Sequence, residues 1–216
     1  MNQRIGMHLF WGQVSPLSSL TGLALIVLAS SRFSYALIIT AAFLWVYGLA
    51  SLIYAFTRKY IPAKGRMIVL LFLVTFLCGI FALFTSMINP LLIMTTSFFL
   101  VLIPPTCLGS GFFQAAELDN NHNPGELVSR ALLEAAVLSA LIIAFSLLRE
   151  PLGFGTLSIP GSPGGIVELF YWANADGFIL IRILSLSSGA ILLLGYIIAL
   201  YRYIGKQLGS ISEDLR

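Results

Sequence analysis

Residues 35–56, YALIITAAFLWVYGLASLIYAF, decide the class of fold. This stretch carries no charged residue. It is long enough to cross the hydrocarbon core of a bilayer, which takes about 20 mostly apolar residues in a helix. Because lipid offers no water to bond with the backbone, a spanning segment of this kind must satisfy its own hydrogen bonds. The stretch therefore predicts a transmembrane α-helix.

The composition of the whole chain agrees with this stretch. Of 216 residues, 58% are hydrophobic and only 10% are charged, whereas an ordinary soluble domain is about 25% charged. A soluble fold of this size could not hide so much apolar surface from water. The composition thus excludes a soluble enzyme, a disordered tail and a secreted disulfide scaffold. The net charge of +3 gives no support to nucleic-acid binding.

Further apolar runs predict an all-α, polytopic membrane protein with six transmembrane helices in a single domain, residues 1–216. Helix-breaking residues interrupt spans one and four, at Ser15-Pro16 and at Pro104-Pro105. Each broken span opens a group of three, which predicts a 3+3 inverted repeat with a functional centre near the membrane midplane. The predicted spans cover residues 7–29, 35–56, 67–84, 91–116, 127–148 and 178–204.

Basic residues predict the orientation. With six spans, Arg32 and Arg149 alone lie on one side of the membrane, so the positive-inside rule predicts that both termini are cytoplasmic. The Gly/Pro-rich residues 150–176 predict an extracytoplasmic loop with a short amphipathic helix around residues 166–172. The basic residues of the opposite side are Arg4, Arg58, Lys59, Lys64, Arg66, Arg202, Lys206 and Arg216.

Few residues are candidates for chemistry. Cys107 follows the Pro104-Pro105 break, at the predicted start of a second half-helix, where a helix N-terminus stabilises a thiolate. The alternative is a small hydrophobic side chain packed in a kink. Cys78 lies in an unbroken span, and we expect it only to pack. One cysteine cannot hold an iron–sulfur cluster or a structural zinc ion, so a metal at Cys107 requires ligands from a partner chain.

Arg130, Glu134 and Arg182 are ionisable residues within predicted spans. Such residues point by default to function in a membrane. The alternative, which we favour, is that the arginines extend to the two interfaces and that Glu134 pairs with Arg130, four residues earlier on the same helix.

Three motifs carry a resemblance to the integral membrane subunits of the Rnf and Nqr electron-transport complexes. Residues 57–66, TRKYIPAKGR, resemble the basic, Ile-Pro-containing loop of that family. Residues 103–117 resemble its fourth span, where a Thr-Cys or Asn-Cys step follows an Ile-Pro. Residues 146–157, SLLREPLGFGTL, look like its Arg-Glu, Gly, Gly-Thr-Leu motif. The resemblance covers essentially the whole chain. With both termini predicted to be cytoplasmic, the chain is most similar to the RnfE and NqrD type of subunit.

The resemblance implies a partner and a cofactor. In the family, two homologous six-span subunits of opposite orientation pair in the cytoplasmic membrane of bacteria or archaea, together with other subunits of the complex. Each contributes one cysteine from span one and one from span four to an iron–sulfur cluster within the membrane. Cys107 matches the span-four cysteine and is the expected cofactor- and metal-binding residue. Ser15 stands where the span-one cysteine precedes Pro16, and its hydroxyl is a poor replacement for a thiolate ligand.

Three functions are open at this point. The first is a subunit that helps to pass electrons across the membrane near Cys107, at most a part of a redox-driven ion translocase. The second is a divergent subunit with a structural role in such a complex and no cluster of its own. The third is a small-molecule membrane transport subunit of similar length. The basic loop and the SLLREPLGFGTL motif favour the first two functions over the third.

Overall fold

A computed structural model describes residues 20–57, 60–61, 65–109, 124–161, 165–171, 182–197 and 199. The predicted break at Ser15-Pro16, both termini and residues 110–123 lie outside the described residues. The described part of the chain is mostly helical, which confirms the predicted class. In chain order its elements are α1 (Leu20–Ala29), α2 (Phe33–Thr57), α3 (Arg66–Ile88), α4 (Pro90–Leu100), α5 (Ile103–Gly109), α6 (Pro124–Phe154), β1 (Thr156–Gly161), β2 (Gly165–Tyr171), a 3₁₀ turn (Arg182–Ser185) and α7 (Ser187–Ile197).

Four segments of the described chain are long and apolar enough to cross a membrane. They are α2, α3, the pair α4 and α5 together, and Ala131–Phe154 of α6. These segments correspond to predicted spans two to five, and they fit a multi-pass membrane protein. α1 and α7 are apolar but shorter within the described residues. The six-span count and the inverted repeat stay predictions.

α2 and α6 form the centre of the packing and run antiparallel. Glu150 near the end of α6 bonds to Phe33 at the start of α2, and Glu134 near the beginning of α6 bonds to Tyr47 in the middle of α2. Small side chains such as Ala135 let the two helices approach closely. α3 lies at the periphery instead. It exposes large apolar side chains, as a surface that faces lipid or another subunit does: Phe72, Phe76, Leu83, Phe84 and Met87.

The break in span four falls at Val101 and Leu102, slightly before the position that the prolines predicted. Leu102 N donates to the carbonyl of Phe99 at 3.1 Å, which marks a tighter turn between α4 and α5. Pro104 and Pro105 occupy the first turn of α5. Because first-turn N–H groups have no acceptor within their helix, proline is tolerated there and the break moves to the preceding turn.

The segment after α6 folds as a β-hairpin, so the predicted amphipathic helix over residues 166–172 is wrong. β1 and β2 pair antiparallel, with Thr156 opposite Tyr171 and Gly161 opposite Gly165. β2 is rich in β-branched and aromatic residues, which fit a strand, and β1 supplies the pairing partner that a loop prediction leaves out. The hairpin also contacts the neighbouring helices. Asn89 lies between α3 and α4, and its Nδ2 donates a hydrogen bond to the carbonyl of Gly161 at 2.7 Å.

Candidate functional site

Cys107 lies in α5, directly after the break in span four. Its side chain is 0% exposed, and it belongs to the main hydrophobic core together with Ile103. α5 packs against α1 and α3, so elements of this chain surround the thiol. Cys107 thus lies past the break, as predicted, but it is the fifth residue of α5 and not part of the first turn. Ser15, the other predicted site residue, lies outside the described residues.

The proline pair also explains the surroundings of the second cysteine. Pro104 has no N–H and cannot donate to the carbonyl of Leu100, four residues earlier. The thiol of Cys78, on α3, lies 3.9 Å from that carbonyl oxygen and donates to it weakly. Cys78 therefore does more than pack, because it partly replaces the donor that Pro104 lacks.

An apolar groove of about 360 Å³ lies beside Cys78, between α3 and the α4–α5 break. Cys107 is not among the residues that line it, so the groove reaches one thiol and not the other. The lining residues are Thr75, Cys78, Gly79, Ala82, Ser97, Leu100, Val101 and Pro104.

Arg149 is buried at the end of α6 and makes contacts that the sequence did not predict. The side chain is 1% exposed, and its guanidinium donates to one carbonyl in the last turn of α1 and to three carbonyls around the 3₁₀ turn. Helix C-terminal carbonyls lack partners within the helix and carry partial negative charge, which stabilises a buried cation. Arg149 thus joins three elements. The acceptors are Val27 O (2.7 Å), Ser30 Oγ (3.2 Å), Leu184 O (2.9 Å), Ser185 O (3.3 Å) and Leu186 O (3.3 Å).

Glu150 caps the start of α2. Its side chain is fully buried, and Oε2 accepts a hydrogen bond from Phe33 N at 2.6 Å. The first N–H groups of a helix lack acceptors within the helix, and a negative side chain suits the positive end of the helix dipole. Arg149 and Glu150 therefore place their opposite charges on the helix ends that suit them, the end of α1 and the start of α2.

Two glycines of the same motif close this junction. A Cβ atom at Gly153 would lie 2.9 Å from Ser185 N and 3.1 Å from Leu184 C, so a glycine is needed for the 3₁₀ turn to approach α6. Gly155 has φ 67°, in the left-handed region, and ends α6. Sequence reasoning found this motif by resemblance but missed its role. The available signal was a pair of adjacent opposite charges at the end of an apolar span, followed by proline and two glycines.

Glu134 lies in the interface of α2 and α6. Its Oε2 accepts a hydrogen bond from the Tyr47 hydroxyl at 3.0 Å. This contact was not predicted. The side chains of Arg130, its expected partner, and of Arg182 lie outside the part of the chain that the structure describes.

The iron–sulfur cluster that the resemblance implies fits these residues only in part. A thiol such as that of Cys107 has the right chemistry for iron. The number of donors is too small, because no group of three or more His, Cys, Asp or Glu side chains that could hold a metal ion occurs among the described residues. This part of the chain therefore does not form a cluster site by itself.

Comparison with known proteins bears on the whole chain. The family model described as Rnf-Nqr subunit, membrane protein, matches residues 4–198. A search of curated proteins finds no significant match. The family match includes the basic loop, the broken fourth span and the Arg149–Glu150 junction, so the resemblance drawn from these motifs is confirmed. The chain belongs to the Rnf-Nqr family of membrane subunits.

Proposed function

We propose that this chain is an electron-transport subunit of an Rnf/Nqr-like ion-translocating complex, and that electrons cross the membrane close to Cys107. Family membership supports a role in a membrane complex of this kind. The single observation that carries the finer proposal is the position of Cys107. It is a thiol past the break in a membrane-spanning helix, at the position that matches the family's span-four cysteine.

The proposal includes the arrangement of the chain in its complex. The subunit has six spans in two inverted groups of three, with both termini on the cytoplasmic side of the inner membrane of a bacterium or archaeon. A homologous six-span subunit and further subunits of the complex are its partners. The exposed apolar face of α3 supports this arrangement, because it offers a large surface to lipid or to a neighbouring subunit.

A cluster at Cys107 would have to take its other ligands from outside the described residues. Cys107 would supply one thiolate, the partner subunit would supply others, and the cluster would carry single electrons. Cys78 is a poor second ligand, because its thiol is engaged with the Leu100 carbonyl. Ser15 occupies the position at which the family has its other cysteine.

A second candidate function is a structural subunit without redox chemistry. The complete burial of Cys107 within this chain favours it, because a partner's ligand would have to reach a thiol with 0% exposure. Family membership leaves the third alternative, a small-molecule transport subunit, without support.

Substitutions in the assembled complex separate the two functions. The complex is purified anaerobically, and its iron content, electron paramagnetic resonance spectrum and electron-transfer rate are measured. We expect Cys107→Ala to abolish electron transfer and lower iron content while the subunits still co-purify, because the change removes only a small side chain. Ser15→Cys restores the family's ligand pair and should raise iron retention.

Cys78→Ser is the matched control, since it keeps a donor to the Leu100 carbonyl and should leave iron content unchanged. If neither Cys107→Ala nor Ser15→Cys alters iron content or electron transfer, the structural function is correct and the electron path near Cys107 is wrong.

A further inference from the structure

Four oxygen-bearing side chains lie together where the end of α6 meets the start of α2 and β1. These residues, Ser34, Ser146, Glu150 and Ser158, form what we term the serine–glutamate cluster. Each is 0% exposed. Glu150 Oε2 accepts from Phe33 N at 2.6 Å, and Ser158 Oγ accepts from Ser34 N at 3.4 Å. Ser146 precedes Glu150 by four residues on α6, so both side chains lie on the same face of that helix.

Three oxygen atoms of the cluster have no hydrogen-bond partner among the described residues. They are Ser34 Oγ, Ser146 Oγ and Glu150 Oε1. Buried polar atoms in proteins nearly always have a partner, and an exception calls for an explanation such as a bound ion or water. Three exceptions in adjoining side chains share one explanation most simply. One ligand that accepts electron pairs from oxygen would account for all three.

The charge of Glu150 narrows the kind of ligand. Arg149 is its neighbour in sequence, but the guanidinium bonds to Ser30 and to backbone carbonyls instead. Arg32, the other cation near the start of α2, contacts Glu168 at 3.4 Å. The structure thus gives the Glu150 carboxylate no basic side chain as a partner among the described residues. A buried charge of this kind is costly without a counter-charge.

We propose that the serine–glutamate cluster binds one monovalent cation, for which Na⁺ is the probe. Carboxylate and hydroxyl oxygens are hard ligands that suit such an ion. One carboxylate balances one positive charge, whereas calcium and magnesium sites generally use more carboxylates or retain bound water. A water molecule in the same space would satisfy hydrogen bonds but leave the carboxylate without a counter-ion. The site gives the ion-translocating role a place to hold its ion and in that sense rests on the proposed function, although the binding itself does not depend on electron transfer.

Binding of radioactive Na⁺ to the full chain in its complex, reconstituted in lipid nanodiscs, tests the site. We expect saturable binding that Ser146→Ala weakens about tenfold or more, because one oxygen ligand is lost. Ser139→Ala is the matched control. Ser139 is also a buried serine of α6 whose hydroxyl has no partner among the described residues, but it lies two turns away from Ser146. Its loss should leave Na⁺ affinity unchanged.

Glu150→Gln should abolish Na⁺ binding. Because this change also alters the cap of α2 and can prevent folding, the comparison of Ser146→Ala with Ser139→Ala is the deciding test of the site. Equal affinities of Ser146→Ala and Ser139→Ala, or no saturable binding by the wild type, overturn the site. A high-resolution density map of the complex is a second test. Distances from the bound species to the oxygens of the cluster that are shorter than a hydrogen bond support the ion, and distances of about 2.8 Å indicate only water. If Na⁺ binding depends on Ser146 while Cys107→Ala leaves electron transfer intact, the site stands and the electron path fails.

Discussion

Arg149 shows what one side chain contributes to this fold. Its planar guanidinium has five N–H donors in a fixed arrangement, and the acceptors around it come from two separate segments, the end of α1 and residues 184–186. Lysine has the same charge but a compact ammonium group, which cannot reach all of these acceptors. The position thus requires arginine for its shape as much as for its charge.

Replacing Arg149 should therefore be among the most destabilising single changes in the chain. Arg149→Ala removes every hydrogen bond that the buried guanidinium makes, and we expect a loss of about 3–5 kcal/mol in the free energy of unfolding. Arg149→Lys should lose about 2 kcal/mol, because the charge stays while most hydrogen bonds go. Denaturant unfolding in detergent micelles measures both values.

The control for this comparison is Arg32→Ala. Arg32 forms a partly exposed ion pair with Glu168, with side chains 32% and 43% exposed, and its loss should cost less than about 1 kcal/mol. Equal losses for Arg32→Ala and Arg149→Ala would contradict the role given to the buried guanidinium.

Between elements, α6 and the 3₁₀ turn approach each other closely at Gly153. We expect Gly153→Ala to destabilise the protein by about 1–3 kcal/mol, because the added methyl group would meet the backbone of Ser185 and push the turn away. The turn also carries carbonyls that accept from Arg149, so the damage should extend to that contact.

Gly79→Ala is the matched control for Gly153→Ala. Gly79 lies within α3, and nothing lies within 4 Å of a Cβ atom placed there. Alanine favours a helix over glycine by up to about 1 kcal/mol, so this change should be neutral or stabilising. Thermal unfolding of both variants under the same conditions checks the pair, and destabilisation of equal size in both would count against the close approach.

The sequence predicted these elements unevenly. Long apolar runs predicted α2, α3 and α6 well, because a membrane imposes length and hydrophobicity on any spanning helix. The hairpin of β1 and β2 was missed, because strand pairing depends on a partner that a local pattern does not contain. The Glu150 cap and the Cys78 donor were missed for a similar reason. Each joins residues far apart in the chain, and no local spacing reports such a contact.

In the protein as a whole, three helix ends lie next to one another at the Arg149 junction, beside the hairpin. The end of α1, the start of α2 and the end of α6 all meet there. Thr57, at the far end of α2, and Gly65, just before α3, lie at the opposite end of the helices. This arrangement supports alternating passes across the membrane, with the basic loop and the hairpin on different sides.

Reporter fusions test that arrangement in cells. We expect a reporter at the C-terminus and one inserted at Tyr60, which is 87% exposed, to report the cytoplasm. A reporter inserted between Gly161 and Gly165, where the two strands connect, should report the opposite side. The same signal from the hairpin and the C-terminus would contradict the six-span arrangement. Loss of the cytoplasmic signal at Tyr60 alone would contradict only the predicted side of the basic loop.

The contacts of Arg149 also set an order of events during synthesis. Val27 precedes Arg149 by 122 positions and Leu184 follows it by 35, so the guanidinium reaches all of its acceptors only when most of the chain has left the ribosome. Until then, a cation enters the lipid phase with part of its hydrogen bonds unmade, which is a costly state. A chain released before residue 184 stays in that state permanently. The junction is thus complete only in a chain that extends through residue 186.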